Sequence, residues 1–237
     1  MFTDYYKQKY TEYKKESVEN ILAGKEDNNI RKKAINEFKR NKEIFNMHNI
    51  SLQAHIDNVF YNVKAKKDLT YMIHYSKRPD RQNLAEKAQL NYLNSKLNNC
   101  VIKLPVSGKN SLTCNKYGEI GNYPKSDCKT LDFQYSRVNM YYFTAKYTEE
   151  LGGSQDNQFN DVINTLSNFE KNLDEYTYMV ALLDGDYYQM KNPKSKKYNN
   201  MSRMEYLKDR FKYCQRILIG TSDEIINIIH NIEDSYD

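Results

Sequence analysis

The 237-residue sequence contains no tryptophan, few glycines and prolines, and no long apolar run. A membrane-spanning helix needs about 20 consecutive apolar residues, so membrane-spanning proteins are excluded as a class and no membrane partner is expected. The N-terminal segment MFTDYYKQKY has no apolar signal-peptide core, which predicts a cytoplasmic location. The sequence also contains no GxSxG, Walker A or GxGxxG motif, so it shows no signature of these common hydrolase and nucleotide-binding sites.

Cysteine and histidine are scarce and widely spaced. The cysteines at positions 100, 114, 128 and 214 form no CxxC pair, and the histidines form no pair at i, i+4. Structural zinc sites normally contain such close pairs, so zinc is not expected. In a chain with no secretory signal, the cysteines are predicted to be reduced thiols.

The composition is that of a globular protein with a modest excess of basic residues. Hydrophobic residues make up 39% of the chain, charged residues 28%, and the formal net charge is +5. This charge is compatible with a polyanionic partner such as nucleic acid, but it does not identify one.

Two regions differ in their patterning. Residues 1–80 contain a single proline and a single glycine and show helical spacing of apolar residues, which predicts a helical N-terminal region. Residues 81–237 begin with an amphipathic pattern and continue with alternating and apolar runs typical of strands. The predicted order there is a helix at 82–97, β-type runs at 100–106, 129–135 and 138–148, a helix at 155–173, a strand at 177–188, and helices at 201–217 and 222–232. This order predicts an α/β core with a mixed sheet flanked by helices.

Asp132 and Lys146 carry the chemistry that the sequence predicts. Asp132 lies on one arm of a predicted hairpin and Lys146 near the end of the other arm. Antiparallel neighbours can bring these two side chains to the same end of a sheet. A carboxylate there can hold Mg²⁺, and an ammonium can position a nucleophile or stabilise charge on phosphorus, so the pair suits metal-assisted phosphodiester hydrolysis.

The element order and these residues together resemble the PD-(D/E)xK nuclease superfamily, and within it the type II restriction endonucleases. Asp132 stands for the family's Pro-Asp element, and Thr144-Ala145-Lys146 stands for its (D/E)-x-K element. Glu86, on the helix before the meander, matches a position where many members have a carboxylate near the metal. The resemblance therefore implies Asp132, Lys146, Thr144 and Glu86 as catalytic residues and Mg²⁺ as the cofactor.

Thr144 departs from the family pattern, because a neutral hydroxyl is a weaker Mg²⁺ ligand than a carboxylate. Three interpretations are open. Thr144 binds the metal weakly or through water. Alternatively, an acid from the following loop or helix replaces it, with Asp156 and Asp161 favoured over Glu149 as metal ligands beside Asp132. In the third, the catalytic site has decayed and the protein only binds DNA.

The amide-rich start of the helix at 155–173 is a candidate DNA contact. Free N–H groups at a helix N-terminus bind phosphate, and amide side chains can donate to phosphates or pair with adenine. The predicted DNA-binding residues are Gln155, Asn157 and Gln158, together with the lysines of a basic loop, Lys194, Lys196 and Lys197.

The resemblance implies a homodimer that cleaves double-stranded DNA at a short specific sequence, with residues 1–80 serving dimerisation or DNA wrapping. It also implies a cognate DNA methyltransferase that protects the same site. Two other functions stay open: a catalytically inactive DNA-binding protein on a degenerate nuclease core, and an interaction module with no nucleic-acid role.

Overall fold

The computed structural model describes residues 1–76, 81–123, 129–149, 153–191 and 200–236. The chain divides into two compact units, one formed by Lys7–Arg81 and the other by Met1–Tyr6 with Gln82–Asp237. None of the helices within the described ranges is long and apolar enough to cross a membrane.

The N-terminal unit is helical. Its elements are α1 (Phe2–Leu22, which begins in the other unit), α2 (Asp27–Arg40), α3 (Lys42–Met47), α4 (Leu52–Phe60), a π-helical turn (Tyr61–Ala65) and α5 (Leu69–Tyr75). Side-chain caps start two of them: the Ser51 hydroxyl accepts from the Ala54 N–H, and the Asp68 carboxylate accepts from the first turn of α5. The helices enclose a small apolar core that includes Ile21, Ile30, Ile56, Val59 and Val63.

The larger unit contains a five-stranded mixed sheet with the strand order β1-β4-β5-β6-β7. The pairs β1–β4 and β4–β5 are antiparallel, whereas β5–β6 and β6–β7 are parallel. The elements are α6 (Arg81–Lys96), β1 (Ile102–Lys103), β2 (Thr113–Cys114), β3 (Ile120–Gly121), β4 (Phe133–Ser136), β5 (Met140–Tyr147), α7 (Gly153–Phe169), β6 (Thr177–Asp184), α8 (Asp186–Gln189), α9 (Arg203–Arg210), β7 (Ile217–Gly220) and α10 (Ser222–Asp234).

Apolar side chains of the central strands explain why helices flank the sheet. Met179, Ala181 and Leu183 alternate along β6 and belong to one buried cluster with residues of α7 and α9. Parallel strands are covered on both faces in this way and carry nearly continuous apolar runs, as β6 does. The predicted α/β fold, a mixed sheet flanked by helices, is therefore confirmed.

The sequence-based assignments were wrong in three places. The helix predicted to reach residue 217 ends at Arg210, and the apolar run Ile217–Gly220 forms β7 instead. The strand predicted through residue 188 ends at Asp184, and its last residues belong to α8. Residues 115–128, whose glycines and proline favour a loop, contain the two-residue strand β3, which pairs with β2. Short apolar runs do not distinguish strand from helix by periodicity, because both patterns fit four residues.

Gly185 ends β6 because its backbone is left-handed and crowded. Its φ is +99°, and a Cβ built there would lie 2.2 Å from the Thr148 carbonyl oxygen. The same carbonyl accepts a hydrogen bond from the Tyr187 N–H at 3.2 Å, while the Thr148 N–H donates to the Asp184 carbonyl at 3.0 Å. The glycine therefore lets the end of β5 lie directly against the turn after β6.

We expect Gly185→Ala to lower the free energy of unfolding by more than about 3 kcal/mol, since backbone strain and a steric clash add together. Gly108→Ala is the matched control, because Gly108 has a φ of +94° and no atom within 4 Å of a built Cβ. The control should cost only about 1–2 kcal/mol, the strain alone. Urea denaturation measures both values, and equal losses would contradict this account of the turn.

Glu233 binds the connection between β4 and β5 to the C-terminal helix. Its carboxylate accepts from the Val138 N–H at 2.8 Å, the Asn139 N–H at 3.2 Å, Asn139 Nδ2 at 2.9 Å and the Tyr141 hydroxyl at 2.7 Å. The residue is 1% exposed. Burial acts to raise the pKa of Glu233, but the hydrogen bonds from Tyr141, Asn139 and Val138 outweigh it, and the pKa lies below its usual value.

A carboxyl group with a lowered folded-state pKa adds stability above its unfolded pKa, and this stability is lost as the pH falls through the folded pKa. Glu233→Gln should therefore reduce the free energy of unfolding by roughly 2 kcal/mol at pH 7, because a charged acceptor is lost. The difference from the unsubstituted protein should shrink as the pH falls below about 4. Urea titrations at several pH values test this, and a difference that does not vary with pH would contradict it.

Candidate active site

Asp132 lies where β4 begins and is fixed by its neighbours on both sides. Its N–H donates to the Phe143 carbonyl of β5 at 2.8 Å, and its carbonyl accepts from the Leu104 N–H at 2.9 Å. Its carboxylate Oδ2 accepts from the Ala145 N–H at 2.7 Å. The Asp132 side chain thus takes part in the hydrogen bonding between β4 and β5. This bond holds its carboxylate against β5.

Lys146 contacts the same carboxylate. Its Nζ lies 3.2 Å from Asp132 Oδ2 and donates to the Ala145 carbonyl at 2.9 Å. The side chains of Lys146 and Asp132 are 14% and 10% exposed, so the pair is largely shielded from water. Low exposure strengthens the electrostatic attraction relative to a surface pair. The structure therefore brings Asp132 and Lys146 together at one end of the sheet.

Thr144 lies two residues before Lys146 on β5, so the two side chains project from the same face of the strand. Thr144 is 5% exposed. Within the described part of the chain, no hydrogen bond reaches its hydroxyl or the second oxygen of Asp132, Oδ1. The site therefore combines a lysine with two oxygen atoms that have capacity for a further ligand.

Glu86 lies on α6 and forms an ion pair with Lys103, with Oε2 and Nζ 3.1 Å apart. Its side chain is 13% exposed. One helical turn further along, Gln89 donates to the Lys146 carbonyl at 3.3 Å, so this part of α6 packs against the end of β5 that carries the lysine. The ion pair with Lys103 occupies one of the two oxygens of Glu86.

The predicted alternative acids have partners of their own. Asp156 Oδ1 lies 3.0 Å from Arg203 Nη2 and accepts from the Tyr187 hydroxyl at 2.6 Å. Asp161 lies 3.5 Å from Lys129 Nζ, and Glu149 accepts from the Tyr147 hydroxyl. In the ranges that the structure describes, no group of three His, Cys, Asp or Glu residues could hold a metal ion.

Arg203 was missed by the sequence analysis, and it explains where Asp156 lies. Its guanidinium is buried, with the side chain 5% exposed, and lies 3.9 Å from the centre of the Tyr187 ring. A buried guanidinium requires a counter-charge, which Asp156 supplies from the first turn of α7. A basic residue at the start of a predicted helix gives no sequence signal that it will be buried.

The amide-rich segment forms the first turns of α7. Asn157 is exposed, and Gln155 and Gln158 are partly exposed, so these side chains are accessible to a ligand. The loop lysines Lys194, Lys196 and Lys197 lie outside the described residues.

The oxygen atoms at this site suit a hard cation. Mg²⁺ is usually held by one or two protein carboxylates, with water and substrate phosphate oxygens completing the coordination. Asp132 Oδ1 and the Thr144 hydroxyl could both serve as ligands, although only one of them is charged. The residues present therefore fit a magnesium ion that is held mainly by its substrate and by water.

The protein-family model described as Tsp45I type II restriction enzyme matches residues 29–214. This is more than half of the chain, and it includes Glu86, Asp132, Thr144 and Lys146. No curated protein and no solved structure matches the chain.

Proposed function

Because the chain belongs to the Tsp45I type II restriction enzyme family, we propose that it cleaves double-stranded DNA at a short specific sequence in a magnesium-dependent reaction centred on Asp132 and Lys146. Membership of a restriction enzyme family makes it a nuclease that acts on DNA. The metal, the sequence specificity, the assignment to the PD-(D/E)xK superfamily and the residue roles belong to the proposal.

The 3.2 Å contact between Lys146 Nζ and Asp132 Oδ2 is the observation that carries the proposal. A lysine paired with a carboxylate suits phosphodiester cleavage, and in a restriction enzyme family this pairing supports the proposal. The remaining capacity of Asp132 Oδ1 and Thr144 supplies metal ligands beside it.

In this proposal Asp132 and Thr144 would hold Mg²⁺, which when bound supplies an acidified water and neutralises phosphate charge. The Lys146 ammonium orients the attacking water by hydrogen bonding and stabilises the negative charge that develops on the phosphorane oxygens. Asp132 also holds the ammonium in place, since Oδ2 accepts from Lys146 while Oδ1 stays available. The two oxygens of one carboxylate therefore have separate tasks.

DNA binding is assigned to the N-terminal turns of α7 and to the basic loop. The amides of Gln155, Asn157 and Gln158 can donate to phosphates or to base edges; Asn157 is exposed and the other two are partly exposed. Lys194, Lys196 and Lys197 can neutralise phosphates, which would make binding depend on salt concentration. Asp156 lies in the same turn, and its ion pair with Arg203 offsets its negative charge beside the DNA.

Lys146→Ala should abolish discrete cleavage of phage DNA in Mg²⁺, with a loss of about 100-fold or more, because a transition-state contact is removed. Lys212→Ala is the control, since Lys212 is an exposed lysine paired with Asp209. Its cleavage should match that of the unsubstituted protein. Gel analysis of the digested DNA tests both, and full activity of Lys146→Ala would exclude the proposed site.

A second candidate function is DNA binding without cleavage, and Thr144 favours it. Thr144 is neutral, whereas the PD-(D/E)xK superfamily, which the sequence resembles, has an acid at this position. The site therefore has one fewer charged metal ligand. This function predicts a DNA mobility shift that survives Lys146→Ala and an absence of cleavage by the unsubstituted protein in any divalent metal.

Substitutions at Thr144 test how the site binds its metal. Thr144→Asp adds a carboxylate ligand and should lower the Mg²⁺ concentration for half-maximal cleavage by about tenfold or more. Thr144→Val keeps the shape but removes the oxygen, and it should raise that concentration. Titration of cleavage with MgCl₂ measures both. If neither variant changes the Mg²⁺ dependence, Thr144 is not a ligand.

We also propose a homodimer, because a palindromic site offers two symmetric half-sites. The N-terminal unit carries exposed apolar side chains that a partner could cover, among them Met47 at 73% and Leu69 at 59%. Sedimentation analysis would show twice the chain mass, and a monomer at micromolar concentration, with or without DNA, would contradict this.

We also propose a cognate methyltransferase, because the host must protect its own recognition sites from cleavage. A cytoplasmic location is proposed because an enzyme of this family must have access to DNA. Host DNA that is cut as readily as unmethylated DNA would contradict the methyltransferase. Recovery of the protein outside the cytoplasmic fraction would contradict the location.

A further inference from the structure

A buried polar network lies behind Lys146. Gln89 of α6 donates from Nε2 to the Lys146 carbonyl at 3.3 Å and to Asp184 Oδ2 at 2.7 Å. Ser222, the first residue of α10, donates to the same carboxylate from its N–H at 2.9 Å and from its hydroxyl at 2.6 Å. Gln89, Asp184 and Ser222 are 1%, 3% and 0% exposed.

The chemistry of its neighbours fixes the orientation of the Gln89 amide. Both contacts, a carboxylate oxygen and a carbonyl oxygen, are acceptors, so the NH₂ end must face them. Burial raises the pKa of Asp184, and the hydrogen bonds from Ser222 and Gln89 act in the opposite direction. Gln89 therefore donates one amide hydrogen to the buried Asp184 carboxylate and the other to the main chain of β5.

We propose that Gln89 is a positioning residue for Lys146, acting through its bond to the Lys146 carbonyl and held in place by Asp184 and Ser222. The inference rests on the proposed function, in which the Lys146 ammonium takes part in DNA cleavage. Lys146 is the second-last residue of β5, and its side chain leaves the strand at the peptide that Gln89 contacts. A shift of this peptide moves the ammonium relative to Asp132.

Tyr92 provides a contact that is structural but does not reach Lys146. It lies on the same helix as Gln89, and its hydroxyl donates to Asp223 Oδ1 at 2.5 Å, one residue beyond Ser222. Tyr92→Phe removes a hydrogen bond between α6 and α10 while leaving the ring in place. It is the matched control for a variant that removes the Gln89 amide.

The first experiment compares single-turnover cleavage of phage DNA in Mg²⁺ by the unsubstituted protein, Gln89→Leu and Tyr92→Phe. Gln89→Leu should be slower by about 100-fold, because a displacement of the reacting groups on the order of 1 Å has effects of this size. Its DNA binding in Ca²⁺ should stay within about twofold. Tyr92→Phe should cleave at the unsubstituted rate. Equal rates for both variants would overturn the proposal.

Gln89→Glu keeps the size of the side chain and adds a readout that a purely structural role would not change. At pH 8 it places a second carboxylate against Asp184, and the two acids repel each other. As the pH falls, a proton shared by the two acids removes the repulsion that pushes residue 89 away from its place beside the Lys146 carbonyl. The deficit in cleavage relative to the unsubstituted protein should therefore shrink between pH 8 and pH 6, whereas a constant deficit would argue against positioning.

Hydrogen exchange separates failure of this inference from failure of the proposed function. Exchange in the segment 145–148 should be faster in Gln89→Leu than in Tyr92→Phe whether or not the protein cleaves DNA. If the unsubstituted protein does not cleave DNA, the proposed function fails, and the exchange data alone decide whether Gln89 fixes this peptide. Unchanged exchange in Gln89→Leu would overturn the network's role.

Discussion

The parallel pairing of β5 with β6 is the constraint on which the rest of the larger unit depends. The two strands are in register over their full length, from Met140 opposite Thr177 to Tyr147 opposite Asp184. Because β6 is buried at every position except Tyr178, β5 cannot slip by one residue without turning Thr144 and Lys146 to the opposite face. The register therefore decides on which face of the sheet the candidate site forms.

Buried charged groups mark the places where different elements meet. Asp132 joins β4 to β5, Asp184 joins β6 to α6 and α10, Glu233 joins α10 to the β4–β5 connection, and Arg203 joins α9 to α7. Each of these groups has hydrogen-bond partners on another element, which offsets the cost of removing charge from water. Apolar packing supplies most of the stability and fixes the strand register. These polar contacts fix where helices and connections attach to the sheet.

The features that were predictable from the sequence are those with a strong local signal. The helix predicted at 82–97 corresponds to α6, and the helix predicted at 222–232 corresponds to α10, which begins after the capping box of Thr221 and Glu224. The alternation of Tyr141, Phe143 and Ala145 against Thr144 and Lys146 predicts both β5 and the face that carries the site. These patterns are local, so no knowledge of the tertiary fold is needed to find them.

The features that were not predictable depend on contacts distant in sequence. The edge strand β7 is four residues long, and only its pairing with β6 makes it a strand. Asp156 was predicted as a metal ligand, but Arg203 lies 47 positions away in the sequence and pairs with it. The role of Gln89 is hidden for the same reason, since its two acceptors lie on different strands. The roles predicted for the site residues all stay predictions: Asp132, Thr144, Lys146, Glu86, Asp156 and Asp161.

Asp132 is harder to replace during evolution than Lys146, because its carboxylate also accepts a hydrogen bond from the Ala145 N–H of β5. The carboxylate belongs to the sheet as well as to the candidate site, so a lineage that discards it must also repair a strand pairing. The Lys146 ammonium has no comparable second task, because its contacts are the same carboxylate and its neighbour's carbonyl. In a lineage released from selection for cleavage, the lysine should drift before the aspartate. A descendant with the aspartate but no lysine would then be a former nuclease that has kept its fold.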